Sequence, residues 1–506
     1  MVLLVSLGLV GGVLGACSGS SKTASTVPAT STTTTTVPPP VLAVKRPNIV
    51  FVLTDDLSMN LVQYMPHVLQ MEKDGATFSH YFVTDSLCCP SRTSILTGEF
   101  PHDSGVFTNG GKDGGFATFL KKGDTQRTYA VALHNAQYNT ALMGKYLNGY
   151  VPETSKTAPK GYVPAGWSEW DAAGNGYPEF KYNLDQNHVL VNYGSQPKDY
   201  LTDVMSRLGT SFIAKSAEAH RPFVLEAATF APHGPYVPAP RDANRFPGLT
   251  APKTPAFDRA DTVGNPRWLQ SYPPLTAKEI ATINETFRKR AQSVQAVDRM
   301  IGNLEREVAA RGLTKSTYFV FSSDNGFHMG EHRLQPGKLT AFDTDIRVPL
   351  VVVGPGIQPG RTISNLAENI DLTPTFEQLA GVPVRPSVDG TSLVSLLLGQ
   401  PTGSWRKGVL VEHHGPEPKP GDPDFQLPPS GNPPSYEALR QENSVYVEYV
   451  DGEHEFYNTF TDPNELRNIY GTLNAATRAR LHKELTTLRT CHGGASCHQA
   501  QLLQSG

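Results

Sequence analysis

A chain of 506 residues is longer than one core usually serves, so two or three domains, or one large α/β domain with an appendage, are expected. Hydrophobic residues make up 39%, enough for a substantial buried core. The 44 basic and 47 acidic residues leave a formal net charge of −3, which removes any electrostatic reason to expect nucleic acid or an anionic membrane surface as a partner.

Residues 2–16 (VLLVSLGLVGGVLGA) form an apolar run too short to span a bilayer comfortably, and the run reads as a signal peptide. Its end, Leu14-Gly15-Ala16-Cys17, resembles the bacterial lipobox, in which small residues precede a Cys that carries lipid. The resemblance implies a lipoprotein signal peptide over 1–17, export to the bacterial cell envelope or beyond, and membrane contact only through a lipid anchor at Cys17. No Lys or Arg precedes Cys17, a departure from the usual basic start; a plain secretory signal with an incidental Cys is the alternative. Residues 18–44 are almost entirely Ser, Thr, Pro and Ala, a composition that cannot bury enough apolar surface to offset ordering and reads as a tether.

Asn48–Thr54 (NIVFVLT) is a continuous apolar run between Pro47 and Asp55, as in a strand buried on both faces. Similar runs recur at Phe223–Ala228, Tyr318–Ser322 and Pro349–Val353. Between them lie helical patterns, the longest from about Thr276 to Arg311, where Ile283, Phe287, Val294, Val297, Ile301 and Leu304 keep a three-to-four spacing. Strands alternating with helices argue for a parallel sheet covered on both faces, assigned to a catalytic domain over 45–400. Beyond residue 400 a Pro/Gly-rich insert (Pro416–Pro434) precedes short strands near Val445–Val450 and Glu455–Tyr457 and a helix at about Ala475–Leu488. These predict a smaller α+β subdomain over 401–497, followed by a tail, 498–506. Cys491 and Cys497 close a short loop that an exported protein would hold as a disulfide.

In open α/β sheets, sites form beyond the carboxyl ends of the strands. Here those positions are acidic: Asp55 and Asp56 follow the first strand, and Asp324 and Asn325 follow Tyr318–Ser322. Adjacent carboxylates at a buried strand end repel unless a cation lies between them, and an all-oxygen set suits a hard ion. Taken singly, Asp55-Asp56 reads equally well as a helix cap, and Asp324-Asn325-Gly326 reads better as a turn. Their recurrence at two equivalent strand ends points to a metal. Between them in the chain, Pro90 suits a first helical turn and would place Cys88 at a helix N-terminus, where unpaired N–H groups favour an anion such as sulfate. Arg92, four residues on, would share that face and add a positive partner.

The segment Cys88-x-Pro90-Ser91-Arg92 followed by Leu96-Thr97-Gly98 resembles the sulfatase signature at every defining position. That resemblance implies an alkaline-phosphatase-like fold, a large mixed sheet covered by helices on both faces with a smaller C-terminal α+β subdomain. It implies a sulfuric ester hydrolase, with Cys88 converted to formylglycine (3-oxoalanine) by a formylglycine-generating enzyme. It also implies Ca²⁺, or Mg²⁺, bound by Asp55, Asp56, Asp324 and Asn325 together with modified Cys88. Lys145 and Lys338 resemble the lysines that hold sulfate oxygens, and His233 in Ala231-Pro232-His233-Gly234-Pro235 resembles the histidine facing the leaving oxygen.

Two positions depart from the family pattern. Leu147 stands where many sulfatases carry a His, so His328 or Asn148 would have to substitute, and Gln137 stands where a Gly usually begins the lysine motif. Leu147 does match one subgroup, N-acetylglucosamine-6-sulfatase and the related extracellular heparan sulfatases. Gly144–Asn148, Phe287-Arg288-Lys289-Arg290, Asp345–Pro349, Gly354–Ile357 and Cys491–Cys497 resemble the same subgroup. The implied substrate is a 6-O-sulfated N-acetylglucosamine or similar sulfated glycan, with Trp167 and Trp170 either lining a sugar pocket or packing the core. The competing readings are a phosphate or phosphonate hydrolase of the same superfamily and a non-catalytic carbohydrate-binding lipoprotein.

Overall fold

The computed structural model describes residues 40–260, 264–270, 272–415 and 424–503. Cys17, the signal peptide, the tether up to residue 39 and the last three residues of the tail lie outside the described residues. Among the described residues no helix is long and apolar enough to cross a membrane.

Asn48–Thr54 is buried at every position and sits in the middle of a ten-stranded sheet. Alternate side chains of this strand enter different cores: Ile49, Phe51 and Leu53 join one cluster with Ile95, Leu133 and Phe376, while Val50 and Val52 join another. That second core contains Val204, Met205 and Phe212 of the helix Leu201–Glu218 and Phe287, Val294, Ile301 and Leu304 of the helix Ala277–Ala310. Both faces are therefore covered by helices, which is why the strand sequence is continuously apolar.

Across the sheet the strands run Arg361–Ile363, Ala76–Phe78, Leu350–Val353, Thr317–Ser323, Asn48–Thr54, Phe223–Ala228, Asn139–Lys145, Glu169–Ala173, Asn183–Gln186 and Val189–Asn192. Asn48–Thr54 is parallel to both neighbours, with Thr54 opposite Ser323 and Leu53 opposite Ala228; Gly144 in turn lies opposite Ala228. This register brings Asp55, Asp324, Lys145 and the segment after Ala228 to one edge of the sheet. The parallel arrangement expected from strand-helix alternation holds from Thr317–Ser323 to Glu169–Ala173 and again between Arg361–Ile363 and Ala76–Phe78, but not throughout. Leu350–Val353 runs antiparallel to Thr317–Ser323, and Asn183–Gln186 and Val189–Asn192 form a hairpin. The two-residue turn between them, Asn187 and His188, has positive φ at both positions (51° and 73°), the left-handed pair that a tight hairpin requires.

The long helix begins where its sequence signals it. Thr276 accepts from the Glu279 N–H at 3.3 Å while Glu279 reaches back to the Thr276 N–H at 2.7 Å, a reciprocal cap for two otherwise unpaired donors.

A separate antiparallel sheet is formed by Gly408–His413, Tyr436–Gln441, Ser444–Tyr449 and His454–Asn458. Leu481, Leu485 and Leu488 of the helix Ala475–Arg489 pack on its Leu410, Leu439 and Tyr446. Cys491 and Cys497 are disulfide-bonded and belong to that same core. The loop they close is short, so replacing both by Ala should cost less than the roughly 3 kcal/mol of a fifteen-residue loop, read as a modest fall in Tm. Alkylatable thiols at both positions in the native protein would contradict the pairing.

Candidate active site

The helix Cys88–Thr97 is buried along its whole length and starts at Cys88, two residues before Pro90, as the sequence implied. It ends at Gly98 with φ 73°, a conformation suited to glycine, and the Gly98 N–H bonds the Ser94 carbonyl at 2.8 Å. The helix aims Cys88 at the acidic strand ends. Its thiol donates to Asp55 Oδ1 at 3.2 Å, and Lys338 Nζ lies 2.8 Å from Sγ.

Around Cys88 the sheet edge gathers charges of both signs. Lys145 Nζ bonds Asp55 Oδ2 at 2.6 Å, and Lys338 Nζ bonds Asp56 Oδ1 at 2.7 Å. Asp324 Oδ1 accepts from the backbone N–H groups of Asp56 (3.1 Å) and Asn325 (2.8 Å). Asp324 Oδ2 takes Arg92 Nε at 2.7 Å, while Arg92 Nη1 donates to the Lys145 carbonyl at 3.1 Å. Arg92 therefore holds Asp324 and the end of the lysine strand, whereas the sequence suggested a direct partner for the anion. Burial opposes charge on Asp324, but Arg92, Lys145 and Lys338 hold it below the usual carboxylate range.

The donor set fits a hard divalent ion. Ligand atoms of Asp55, Asp56, Cys88 and His233 lie within 4.8 Å of one another. Asn325 Nδ2 donates to Asp56 Oδ1 at 2.8 Å, which leaves Asn325 Oδ1 buried among these carboxylates with no hydrogen-bond partner. A buried carbonyl oxygen without a donor, beside three carboxylates, is the environment a Ca²⁺ or Mg²⁺ ion satisfies.

His233 Nδ1 faces the Gly234 carbonyl at 2.8 Å and so carries a proton, while Nε2 points at Asp424 Oδ1, 2.6 Å away, with Asp56 Oδ2 at 3.6 Å. Burial works against charge on this ring, but Asp56, Asp424 and Asp55 outweigh it and push its pKa up to about 9. The Cys88 thiol moves the other way in reactivity. Burial first, then Asp424 and Asp55, raise it well above the usual thiol range, so as a plain cysteine it stays protonated and is a poor nucleophile.

Over this cluster opens a cavity of about 220 Å³, lined among others by Asp56, His233, Tyr236, Lys338, Asp424 and Gln426. Every residue singled out from the sequence for catalysis or metal binding thus meets at one edge of the sheet. Of the two groups considered in place of a His at position 147, Asn148 reaches this cluster, donating to Asp424 Oδ2 at 2.7 Å. His328 is instead held between Asp345 (2.9 Å) and the Ser430 carbonyl (3.1 Å), and Leu147 is buried in the core. Gln137 has φ 67°, which explains why glycine is usual there. Trp167 and Trp170 do not line the cavity. Both belong to the core, with Trp170 fully buried and its Nε1 donating to the Tyr150 hydroxyl at 2.8 Å, so their role is packing.

Three participants carry no sequence signal that reasoning used. Asp424 comes from the Pro/Gly-rich insert. Asn109 accepts from the Cys89 N–H at 3.0 Å and donates to Asp424 Oδ2 at 2.8 Å. Arg290 is fully buried, stacked 4.2 Å from Phe327, and donates to the carbonyl of Asp56, a residue held at φ 63°. In the sequence it stands out only within the segment Phe287-Arg288-Lys289-Arg290, and its contact fixes the loop carrying the acidic pair.

A cradle of lysines, histidine and helix N-terminus above a cluster of hard oxygen donors, at the carboxyl edge of a mixed sheet, defines a hydrolase of tetrahedral-anion esters with an alkaline-phosphatase-like fold. The chain belongs to the sulfatase family: residues 47–382 match the Sulfatase family, and residues 330–491 match the family described as N-sulphoglucosamine sulphohydrolase, C-terminal. It is therefore a sulfuric ester hydrolase. N-acetylglucosamine-6-sulfatase of Homo sapiens is 34% identical over 480 residues, covering 89% of this chain and 85% of that protein. The extracellular sulfatase SULF-1 homolog of Drosophila melanogaster is 33% identical over 73% of this chain and 33% of its own length. Among solved structures, a protein in complex with its substrate D-glucosamine-2-N,6-O-disulfate superposes with a TM-score of 0.74 at 21% identity, covering 91% of this chain and 100% of that one.

Proposed function

We propose that this sulfatase removes a sulfate ester from a glycan, with 6-O-sulfated N-acetylglucosamine as the model substrate, using formylglycine made from Cys88 and one Ca²⁺ ion. The observation that carries the reading is the meeting of Cys88, Lys145, Lys338 and His233 with Asp55, Asp56, Asp324 and Asn325 at one edge of the sheet, beside a cavity that Asp56, His233 and Lys338 line. The substrate class follows from the relatives named above.

Converted to formylglycine, residue 88 supplies a hydrated aldehyde that can expel sulfate by re-forming its carbonyl, where a thiolate would be trapped as a stable sulfated thiol. A bound Ca²⁺ offsets charge on the sulfate, a contribution of several kcal/mol to such transfers. The remaining work falls to the chain's own groups. Lys145 and Lys338, now paired with Asp55 and Asp56, present their ammonium groups to the sulfate oxygens. His233, protonated at neutral pH, gives its Nε2 proton to the departing alcohol oxygen. Arg92 keeps Asp324 charged and in place. A lipid anchor at Cys17, export, and a formylglycine-generating enzyme as processing partner complete the reading.

The test compares kcat/KM on 6-, 3- and 2-sulfated monosaccharides with aryl and steroid sulfates, and on aryl phosphates, because a tetrahedral-anion cradle does not by itself choose sulfur over phosphorus. A site built around a sugar should prefer one sulfated position, since each buried polar group left unpaired by the wrong isomer costs about 1 to 3 kcal/mol. Steroid sulfates turned over better than every sugar sulfate would overturn the substrate assignment. Faster phosphate than sulfate hydrolysis would favour the phosphohydrolase alternative.

A further inference from the structure

The cradle assigned above to sulfate already holds an anion that belongs to the chain. Asp424 Oδ1 accepts from Lys338 Nζ and lies against His233 Nε2, each at 2.6 Å. Asp424 Oδ2 accepts from Asn109 Nδ2 at 2.8 Å and Asn148 Nδ2 at 2.7 Å. The side chain is only 1% exposed, and its carboxylate lies 3.6 Å from Cys88 Sγ. Oδ1 is thus in contact with two groups that a bound sulfate ester would need, Lys338 and His233, directly beside residue 88.

The position of Asp424 is set by its neighbours. Two residues on, Gln426 Oε1 accepts from the Lys338 N–H at 3.1 Å, and the Gln426 carbonyl accepts from Asn432 Nδ2 at 3.2 Å. The Pro428 carbonyl accepts from the Tyr272 hydroxyl at 2.6 Å, and the Pro429 carbonyl from the Gln335 N–H at 2.7 Å. The backbone beyond Asp424 is therefore pinned to the rim of the site, and the carboxylate can leave the cradle by side-chain rotation while remaining close by.

Charge explains why it sits there. Lys145, Lys338, Arg92 and His233 face Asp55, Asp56 and Asp324, and all of them are buried. Without a further anion, a buried cation would lack a partner, which is costly. A sulfate oxygen and the Asp424 carboxylate cannot use the same Lys338 and His233 donors, and two buried anions at that separation repel.

We propose that Asp424 is a built-in competitor for the sulfate cradle, a specificity-determining residue that only a strongly anionic ester group can displace. The proposal rests on the reading that this cradle takes sulfate. It makes the ligand-competent form a fraction of the population, so the apparent affinity for sulfate falls by that fraction.

The experiment measures binding of inorganic sulfate by calorimetry to the full chain, wild type against Asp424→Ala, Asp424→Asn and Asp424→Glu, at fixed pH and ionic strength with Ca²⁺ present. The same proteins are assayed for kcat and KM on an aryl sulfate. Asp424→Ala is expected to bind sulfate about tenfold more tightly, the gain for a carboxylate seated about nine-tenths of the time, with KM falling in parallel. Asn should give a smaller gain, because it keeps the shape without the charge, and Glu should stay near wild type.

Sulfate affinity unchanged or weaker in both the Ala and Asn variants would overturn the proposal. So would a change confined to kcat and its pH profile, with sulfate affinity and KM unmoved, the signature of a carboxylate that merely positions His233. Should Ala fail to fold, Asn and Glu still rank the charge effect. Tighter sulfate binding in a protein that turns over no sulfate ester would uphold the competitor and sink the catalytic reading instead.

Discussion

Cys88→Ala should abolish sulfate-ester turnover, by about 10⁴-fold or more as for loss of other catalytic nucleophiles, while the protein remains folded. The two adjacent cysteines make this a controlled comparison, because both are buried and both are free of disulfide. They face different surroundings. Cys89 belongs to the large apolar core with Phe51, Ile95 and Phe116, whereas Cys88 is ringed by Asp55, Asp56, Asp424 and Lys338. Cys88 belongs to none of the apolar clusters, and without its sulfur Asp55 keeps Lys145 and Lys338 keeps Asp56 and Asp424, so Tm should stay near wild type. Deleting the Cys89 sulfur should cost about 1 kcal/mol of packing and leave most of the activity. Equal loss of kcat/KM from both substitutions would sink the assignment of residue 88. Mass spectrometry of the peptide carrying Cys88 adds an independent reading, since conversion to an aldehyde changes its mass and blocks thiol alkylation.

What the sequence revealed depended on how local the signal was. Asp55-Asp56 and Asp324-Asn325 were legible because each follows a strand whose unbroken apolar run marks it as central, and central parallel strands end side by side. Pro90 marked a helix start at Cys88, and the resemblance of Cys88-x-Pro90-Ser91-Arg92 to the sulfatase signature made that residue, with Lys145, His233 and Lys338, legible as site groups. Asn139–Lys145 was not recognised as a strand, although it delivers Lys145. Its sequence NTALMGK lacks the β-branched density of its neighbours and is held in the sheet by pairing on both sides. Asp424 lies 191 residues from His233 and 315 from Asn109, so no window of sequence could reveal that their side chains meet. Trp167 and Trp170 suggested a sugar platform because aromatics serve in both roles, and only the packing of Tyr146 and Tyr150 around Trp170 decides for the core.

Exhaustive chelation should remove activity and leave the fold standing, and that combination is the sharper test of the metal. The carboxylates of Asp55 and Asp56 are not stranded without an ion, because Lys145 and Lys338 bond them at 2.6 and 2.7 Å. Loss of the ion should therefore lower stability by only the linkage term, about 2.7 kcal/mol when the free ion stands at a hundred times its Kd, read as a fall in Tm, and Ca²⁺ should restore both Tm and turnover. Asp324 then separates binding from scaffolding. Asp324→Asn keeps an oxygen for the Asp56 and Asn325 N–H groups but loses the charge that pairs with Arg92. It should need a much higher Ca²⁺ concentration for half-maximal activity, with kcat recovering as Ca²⁺ is raised. Asp324→Ala also removes the close carboxylate of the buried Arg92 guanidinium, leaving it only Asp55 at 3.9 Å, at a cost of about 3 kcal/mol, and should not be rescued by the ion. Mg²⁺ should substitute poorly in either protein, because it demands near-ideal octahedral geometry, whereas this site mixes carboxylates with a single amide oxygen carried on the two segments Asp55-Asp56 and Asp324-Asn325. Full activity after chelation would remove the ion from the mechanism and leave the lysines to hold sulfate alone.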